Sequence, residues 1–149
     1  MSAERYLSWN ERLIVEFARD KVDSGNWSAD DALDRSAEEN KRDLPQGLAT
    51  PGHDIFVGHS DGEEVGVLWL FTDPGLTTSE TMIYDIEIAE QHRGKGFGRE
   101  LLTAAERWCA GHGIGVLKLH VFANNIAAGN LYESAGFEAT NINMAKVIT

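Results

Sequence analysis

The part of the sequence with the clearest chemical potential is a glycine-rich loop from Arg93 to Arg99, which reads RGKGFGR. Its position is between a predicted strand and a predicted amphipathic helix. Glycines let the backbone approach a ligand closely, and the free N–H groups and dipole of a helix start suit a phosphate group. The pattern predicts a phosphate-binding turn, with an ordinary flexible turn as the alternative.

Two common nucleotide-binding motifs do not fit this loop. A Walker loop ends in Gly-Lys-Ser/Thr, whereas Gly98 is followed by Arg99 and Glu100. In a Rossmann fingerprint, G-x-G-x-x-G is followed about twenty residues later by an acid. Here the third glycine comes one residue early and Lys118 stands where the acid would be. The loop therefore indicates a phosphate ligand of another kind.

Two motifs, in order along the chain, resemble those of the GNAT superfamily of N-acetyltransferases. Residues 86–98 are similar to its acetyl-CoA motif, an apolar strand end followed by Arg/Gln-x-x-Gly-x-Gly/Ala. Residues 119–137 resemble its second signature, L-x-V-x-x-x-N-x-x-A-x-x-L-Y-x-x-x-G-F. The resemblance covers about residues 80–140, the expected acetyl-CoA-binding core, whereas residues 5–52 fit the family's variable acceptor side only loosely.

The resemblance implies a set of residues that hold acetyl-CoA as co-substrate. Strand backbone would pair with the pantetheine arm, one strand N–H would serve the thioester oxyanion, and loop N–H groups would hold the pyrophosphate. For the loop's basic side chains the alternative is a solvated surface, and for Asn125 it is a plain helix cap. The implied set is Ile86, Glu87, Ile88, Arg93, Gly94, Lys95, Gly96, Phe97, Gly98, Arg99 and Asn125.

The resemblance also suggests catalytic residues for direct attack of an amine on the thioester. Tyr132 matches the family's general acid, although a tyrosine in such a helix is also a core residue. His120 occupies the position where some members carry a glutamate. Because histidine ionises close to neutral pH, it is a candidate base, with an ordinary strand histidine as the alternative.

Two acidic residues, Asp85 and Glu87, alternate with apolar ones at the end of the strand before the loop. Strand alternation places both carboxylates on one face, opposite Tyr84, Ile86 and Ile88. Glu87 is therefore a third candidate catalytic residue, with Asp85 or water as alternatives, and a bulge would break this parity. A solvated strand face is the other interpretation.

Hydrophobic periodicity predicts the elements that position these residues. Together they form an α/β fold, a single domain over residues 1–149. The resemblance refines this fold to a mixed, mostly antiparallel sheet with about four flanking helices and a splayed strand pair that binds CoA. The family's first strand is expected to be short or missing. Helices are predicted at 5–22, 28–43, 98–110 and 126–135, a hairpin at 55–71, and strands at 81–88, 116–122, 137–140 and 142–147.

Composition narrows the function further. The 149 residues carry 13 basic and 24 acidic side chains, a net charge of −11, which argues against binding nucleic acid and weakly favours a cationic acceptor. One cysteine, Cys109, excludes an internal disulfide and fits a cytoplasmic protein. No metal-ligand spacing and no apolar membrane span are found. A missing first strand would leave a sheet edge open for a homodimer.

The resulting expectation is a cytoplasmic, acetyl-CoA-dependent N-acetyltransferase that acts on a primary amine of a small molecule or peptide, without a metal. The alternative is a non-catalytic acyl-CoA-binding or sensing domain on the same fold. Trp9, Trp27, His53 and Trp69 are candidates for the acceptor side, with core packing favoured for the tryptophans.

Overall fold

The chain folds around a four-stranded sheet of order β1-β2-β3-β4, seen in a computed structural model that describes residues 1–76 and 79–149. Strands β1 to β3 are antiparallel, and β4 runs parallel to β3, which confirms the predicted mixed sheet. The elements are α1 (Ala3–Asp23), α2 (Ala32–Asp43), β1 (His53–Ser60), β2 (Glu63–Phe71), β3 (Glu80–Ile88), α3 (Phe97–Gly111), β4 (Val116–Leu119) and α4 (Ile126–Ser134).

Helices cover both faces of the sheet. On one face, Trp9 of α1 packs against Val67 and Trp69 of β2. On the other, Leu102 and Ala105 of α3 pack against the same sheet, and α4 adds further apolar contacts. These three-layer contacts agree with the α/β fold and the four flanking helices expected from the sequence.

Close backbone packing explains two glycines of the sheet. A Cβ on Gly66 would lie 2.3 Å from the carbonyl oxygen of Glu87, and one on Gly58 would lie 2.9 Å from Leu101. Neither position has room for a side chain, because α3 and the neighbouring strand press directly on the sheet there.

In the described residues no strand precedes α1, as expected, and the sheet begins with β1. Helix α1 starts at Ala3, where the Ser2 hydroxyl accepts a hydrogen bond from the Arg5 N–H. The second helix begins later than predicted. Ser28 accepts from the Asp30 N–H in a turn, and α2 starts only at Ala32.

Two predicted strand regions are corrected. β4 ends at Leu119 instead of continuing to residue 122, because it loses its ladder with β3 there. The predicted strands at 137–140 and 142–147 are absent, since residues 137–149 have no strand partner among the described residues. No helix in the described ranges combines the length and apolarity that a membrane crossing needs.

Candidate functional site

The parallel strands β3 and β4 separate halfway along β3. Their last paired residues are Ile83 and Leu119, whereas β3 continues to Ile88. On its other edge, β3 stays paired with β2 through Ile86, Glu87 and Ile88. The end of β3 therefore keeps one edge without a strand partner, in a gap between two strands that an extended ligand could enter.

A row of free backbone N–H groups lies directly after this gap. From Gly94 to Arg99, six consecutive N–H groups make no hydrogen bond in the described part of the chain, and the first loop bond after them is Glu100 N–H to Gly96. Three of them begin α3. Such a row next to a helix start binds anions well, so the loop fits the pyrophosphate of CoA.

Glycine conformation is what exposes this row. Gly94 has φ +74° and Gly96, the N-cap of α3, has φ +88°, which other residues adopt only under strain. A Cβ at either position would meet no atom within 4 Å. The space in front of the loop is open, so both glycines serve backbone conformation and access, not tight packing.

Phe97 and Gly98, near the end of the loop, have contacts that fix the loop against the neighbouring elements. A Cβ on Gly98 would lie 3.1 Å from Leu131, so this glycine brings α3 close to α4. The Phe97 ring lies 5.9 Å from the His92 ring. The Phe97 ring and the close approach of Gly98 to α4 hold the loop in place, while the N–H groups of both residues stay free.

The three basic residues of the loop differ in how they are held. Arg93 donates from Nε to the Ile88 carbonyl at 3.0 Å, which ties the loop to the end of β3. Arg99 donates to the hydroxyl of Ser134 on α4. Lys95 is exposed. All three belong to the same loop as the free N–H row and add positive charge to this loop.

Asn125 is the N-cap of α4. Its Oδ1 accepts a hydrogen bond from the Ala128 N–H at 3.3 Å, so the capping alternative given by the sequence is present in the structure. Capping uses the oxygen of the side-chain amide, and the NH₂ group stays available as a donor.

A β-bulge at Tyr84 changes which side chains share a face. Trp69 pairs with Asp85 and Leu70 with Ile83, so Tyr84 has no partner on β2. The extra residue places Tyr84 on the α1 side with Asp85, where its ring lies 5.1 Å from that of Trp69. The expected grouping of Tyr84 with Ile86 and Ile88 is therefore wrong.

The two carboxylates share a face, as the sequence predicted. Glu87 forms an ion pair with Arg12 of α1. Burial raises the pKa of Glu87, and Arg12 opposes this shift. Asp85 lies on the same side, beside Trp9 of α1. Sequence inspection gave no signal for Arg12, because only the packing of α1 on the sheet brings it to Glu87.

Asp85 is the most strongly perturbed acid of the chain. Burial is the largest cause, and the nearby Glu87 carboxylate the second, of a rise in the pKa of Asp85 to about 7. Trp9 and Arg12 lower this pKa by smaller amounts. The Asp85 Oδ2 and the Trp9 Nε1 are both shielded from solvent, and neither has a hydrogen-bond partner within residues 1–76 and 79–149. A carboxylate that exchanges its proton near neutral pH is well suited to general base work.

Tyr132 reaches the same region from α4. Its side chain is half-buried and packs against the α3 side of the core, with its ring 6.0 Å from that of Phe137. Burial, and second the negative charge of Asp85, raise the pKa of Tyr132. The phenol therefore keeps its proton at neutral pH, as a proton donor must. The second effect means that Tyr132 and Asp85 lie within electrostatic reach of each other.

His120 is the remaining candidate base. It directly follows β4, is exposed, and its ring contacts that of Phe122 at 5.0 Å. No described hydrogen bond or ion pair joins it to Tyr132, Asp85 or Glu87.

The aromatic candidates divide between core and surface. Trp9 and Trp69 are buried in the core, where the Trp69 Nε1 donates to Nδ1 of His53 at 2.9 Å. Burial lowers the pKa of His53, which fits this acceptor role. Trp27 is only partly covered and packs on Phe17. Core packing, favoured from sequence for the tryptophans, thus holds for two of the three.

Comparison with known proteins gives concordant results. The model of the Acetyltransferase (GNAT) family matches residues 16–137. The N-acetyltransferase YycN of Bacillus subtilis (strain 168), itself uncharacterised, is 35% identical over 98% of this chain and 94% of its own. YdgE of the same strain, also an uncharacterised N-acetyltransferase, is 31% identical over the same shares. A crystal structure of YycN matches with a TM-score of 0.96, covering 100% of this chain and 96% of that one.

Proposed function

The chain belongs to the GNAT family of acetyltransferases, and from this premise we propose that it transfers an acetyl group from acetyl-CoA to a primary amine of a small molecule or peptide. The observation that carries the proposal is the row of six free N–H groups beside the unpaired end of β3. Acetyl-CoA supplies the activated acetyl thioester.

The donor site would use mainly backbone. Backbone groups of Ile86, Glu87 and Ile88 on the open edge of β3 would pair with the extended pantetheine arm, as an added strand does. The N–H groups of Gly94–Arg99 would hold the pyrophosphate, with Arg93, Lys95 and Arg99 adding charge. Asn125 would donate from its free NH₂ group.

Tyr132 is proposed as the general acid. When the amine nitrogen bonds to the acetyl carbon and the carbon–sulfur bond breaks, the thiolate needs a proton, and the Tyr132 hydroxyl would donate it. Support comes from its half-buried place on α4 and from the raised pKa that keeps it protonated.

The base is proposed among the two β3 carboxylates and His120. Asp85 has the strongest support, because its pKa of about 7 lets it accept a proton at neutral pH and it couples to Tyr132. Glu87, paired with Arg12, would orient the amine or relay its proton. His120, the base suggested by the family resemblance, remains a second candidate because it directly follows β4 at the gap.

The acceptor is proposed to be a cationic amine. On the α1 side of the sheet, the carboxylates of Glu87 and Glu16 are close enough to raise the pKa of Asp85, and Glu16 also raises the pKa of Glu87. A positively charged amine would be attracted to this group and would lose its proton there before attack. A cytoplasmic location stays a prediction from sequence.

A calorimetric titration with acetyl-CoA, followed by a screen of amines for release of free CoA, tests the proposal. We expect one-to-one binding and turnover with at least one amine. Binding without turnover across small amines and peptides would favour the acyl-CoA-sensing alternative. No binding by a folded protein would overturn the donor-site assignment.

A further inference from the structure

A groove with an aromatic wall (the aromatic groove) lies along the first half of β3, next to the turn that joins β2 to β3. Its cavity measures about 270 Å³, and the residues that line it include Phe71, Asp73, Met82 and Tyr84. The Tyr84 ring is 40% exposed, although it packs against the Phe71 ring with the two centroids 5.2 Å apart. A concave site whose aromatic wall is held in place by packing is suited to bind a small molecule.

The rings around Tyr84 form a continuous array on the α1 side of the sheet. The Tyr84 ring lies 5.1 Å from the ring of Trp69 and 5.5 Å from that of His53. The bulge in β3 is what turns Tyr84 to this side and adds its exposed ring to the array. Because the face of an aromatic ring attracts cations, the array favours a positively charged ligand.

Two carboxylates add negative charge at the same place. Burial is the largest cause of a rise in the pKa of Tyr84, and the negative charges of Asp43 and then Asp73 add to it, so both carboxylates lie near the Tyr84 hydroxyl. Lys118 also lines the groove, but its Nζ lies 2.9 Å from a carboxylate oxygen of Glu80, and these two charges offset each other. The remaining charge at the groove is that of Asp43 and Asp73, which complements a cation.

The aromatic groove leads to the proposed base. Asp85 directly follows Tyr84 and pairs with Trp69 of β2, and Asp73 comes four residues after Trp69 along the chain. At about 3.3 Å per residue, Asp85 and Asp73 are separated by roughly 10–13 Å along the strand direction. A ligand that places one cationic group at each carboxylate therefore needs a chain of that length, with an apolar middle that packs on the Tyr84 ring.

We propose that the acceptor is a linear polyamine or long α,ω-diamine, bound with one primary amine at Asp85 and a second ammonium group between Tyr84 and Asp73. This inference rests on the proposed acetyltransferase function and adds a second cationic group and a length to its acceptor. The ammonium group at Asp85 gives up one proton there, and its nitrogen bonds to the acetyl carbon and loses a second proton. The carbon–sulfur bond breaks, and the CoA thiolate takes up one proton and leaves as the thiol. The distal ammonium group keeps its charge and serves only binding.

Matched amines test the second charge and the length. Release of free CoA is measured with 1,8-diaminooctane, with 1-aminooctane, which lacks the second charge, and with 1,3-diaminopropane, which is too short. With C–C bonds of about 1.5 Å, an extended chain of eight carbons spans about the required distance. We expect kcat/KM for 1,8-diaminooctane to exceed both other values by about tenfold or more. If 1-aminooctane or 1,3-diaminopropane reacts equally well, the second cationic subsite is overturned, while the transferase function stands.

Asp73→Asn tests where the second ammonium group binds. The Asp73 Oδ1 accepts a hydrogen bond from the Gly75 N–H at 2.8 Å, and asparagine can accept the same bond, so the variant loses the charge and keeps the turn. We expect the preference for 1,8-diaminooctane over 1-aminooctane to fall by about fivefold or more. Asp61→Asn makes the same change of charge in the turn between β1 and β2, at the other end of β2, and should keep the preference. An unchanged preference in Asp73→Asn would contradict the proposal.

Calorimetry without acetyl-CoA separates this inference from the proposed function. We expect 1,8-diaminooctane to bind the protein alone, and to bind Asp73→Asn about fivefold more weakly. If no amine is acetylated but this difference in affinity is found, the transferase function fails and the cation subsite stands. If amines are acetylated but both proteins bind 1,8-diaminooctane equally well, the subsite is overturned and the function stands.

Discussion

The two proposed halves of the site, one for the acetyl donor and one for the amine acceptor, are built from different chemical groups. On the donor half, the β3 end and the loop to α3 offer backbone: six free N–H groups and an unpaired strand edge. On the acceptor half, α1 and the α1-facing side of β3 offer side chains, among them Arg12, Asp85 and Glu87. A backbone site tolerates change in most side chains but needs its glycines, whereas a side-chain site changes with every residue that packs onto it.

The largest expected effect is on the donor half. Gly96→Glu should abolish measurable acetyl-CoA binding, because the N-cap of α3 has φ +88° and the new carboxylate would face the pyrophosphate. Calorimetry measures the loss. Gly113→Glu is the matched control, since Gly113 has φ +71° and open space but lies outside the loop. If both variants bind acetyl-CoA equally well, the loop does not hold phosphate.

The next largest effect is expected at Tyr132, the proposed general acid. Tyr132→Phe should lower kcat by about a hundredfold or more and leave acetyl-CoA affinity within about threefold, because only the proton donor is lost while the ring still packs in the core. Steady-state kinetics together with calorimetry separate the two quantities. Unchanged turnover would show that Tyr132 is a packing residue.

The third prediction concerns Asp85 and tests whether the general base lies on the proposed acceptor half. A base must be ionised, so the rate should rise as pH passes through about 7, the pKa to which burial raises Asp85. Asp85→Asn should lower kcat by about a hundredfold at pH 8 and remove this rise of the rate with pH. If the rate still rises with pH in Asp85→Asn but no longer does so in His120→Ala, the general base is His120.

Stability gives an independent check on Asp85. Its pKa is raised in the folded state, so this group stabilises the fold most below the unfolded value of about 4 and progressively less as pH rises to about 7. Urea unfolding should therefore show Asp85→Asn gaining stability relative to wild type between about pH 4.5 and 8. If the stability difference between Asp85→Asn and wild type is the same at about pH 4.5 and about pH 8, the pKa of Asp85 is not raised in the folded protein.

The smallest expected effect concerns Arg12. Arg12→Gln removes the ion pair to Glu87, so the pKa of Glu87 should rise further, since Arg12 opposes the effect of burial. We expect a change of a few-fold in KM for the amine and none in acetyl-CoA affinity. Arg19→Gln, also on α1, serves as the control. A loss of acetyl-CoA binding instead would mean that the two halves are not separable.

Some elements could be predicted well because local pattern alone determines them. The amphipathic helix after the loop was expected at 98–110 and is found at Phe97–Gly111, and the turn at Asp61-Gly62 joins β1 and β2 as expected. The C-terminal strands were wrong for the opposite reason. Residues 142–147 have a strand-like pattern, but a strand needs a partner, and the part of the chain that the structure describes pairs none with them.

What the sequence determined by itself is the family and the glycine loop of the proposed donor half. A bound pyrophosphate requires glycines with positive φ and a helix start at fixed spacing, and such requirements are local, so they are readable at Gly94 and Gly96. Only the tertiary structure decided how the side chains of the proposed acceptor half are arranged. The bulge at Tyr84, the burial of Asp85 and the pairing of Glu87 with Arg12 depend on how α1 packs across the sheet. Burial and electrostatic coupling arise between residues distant in sequence, and no local pattern encodes them.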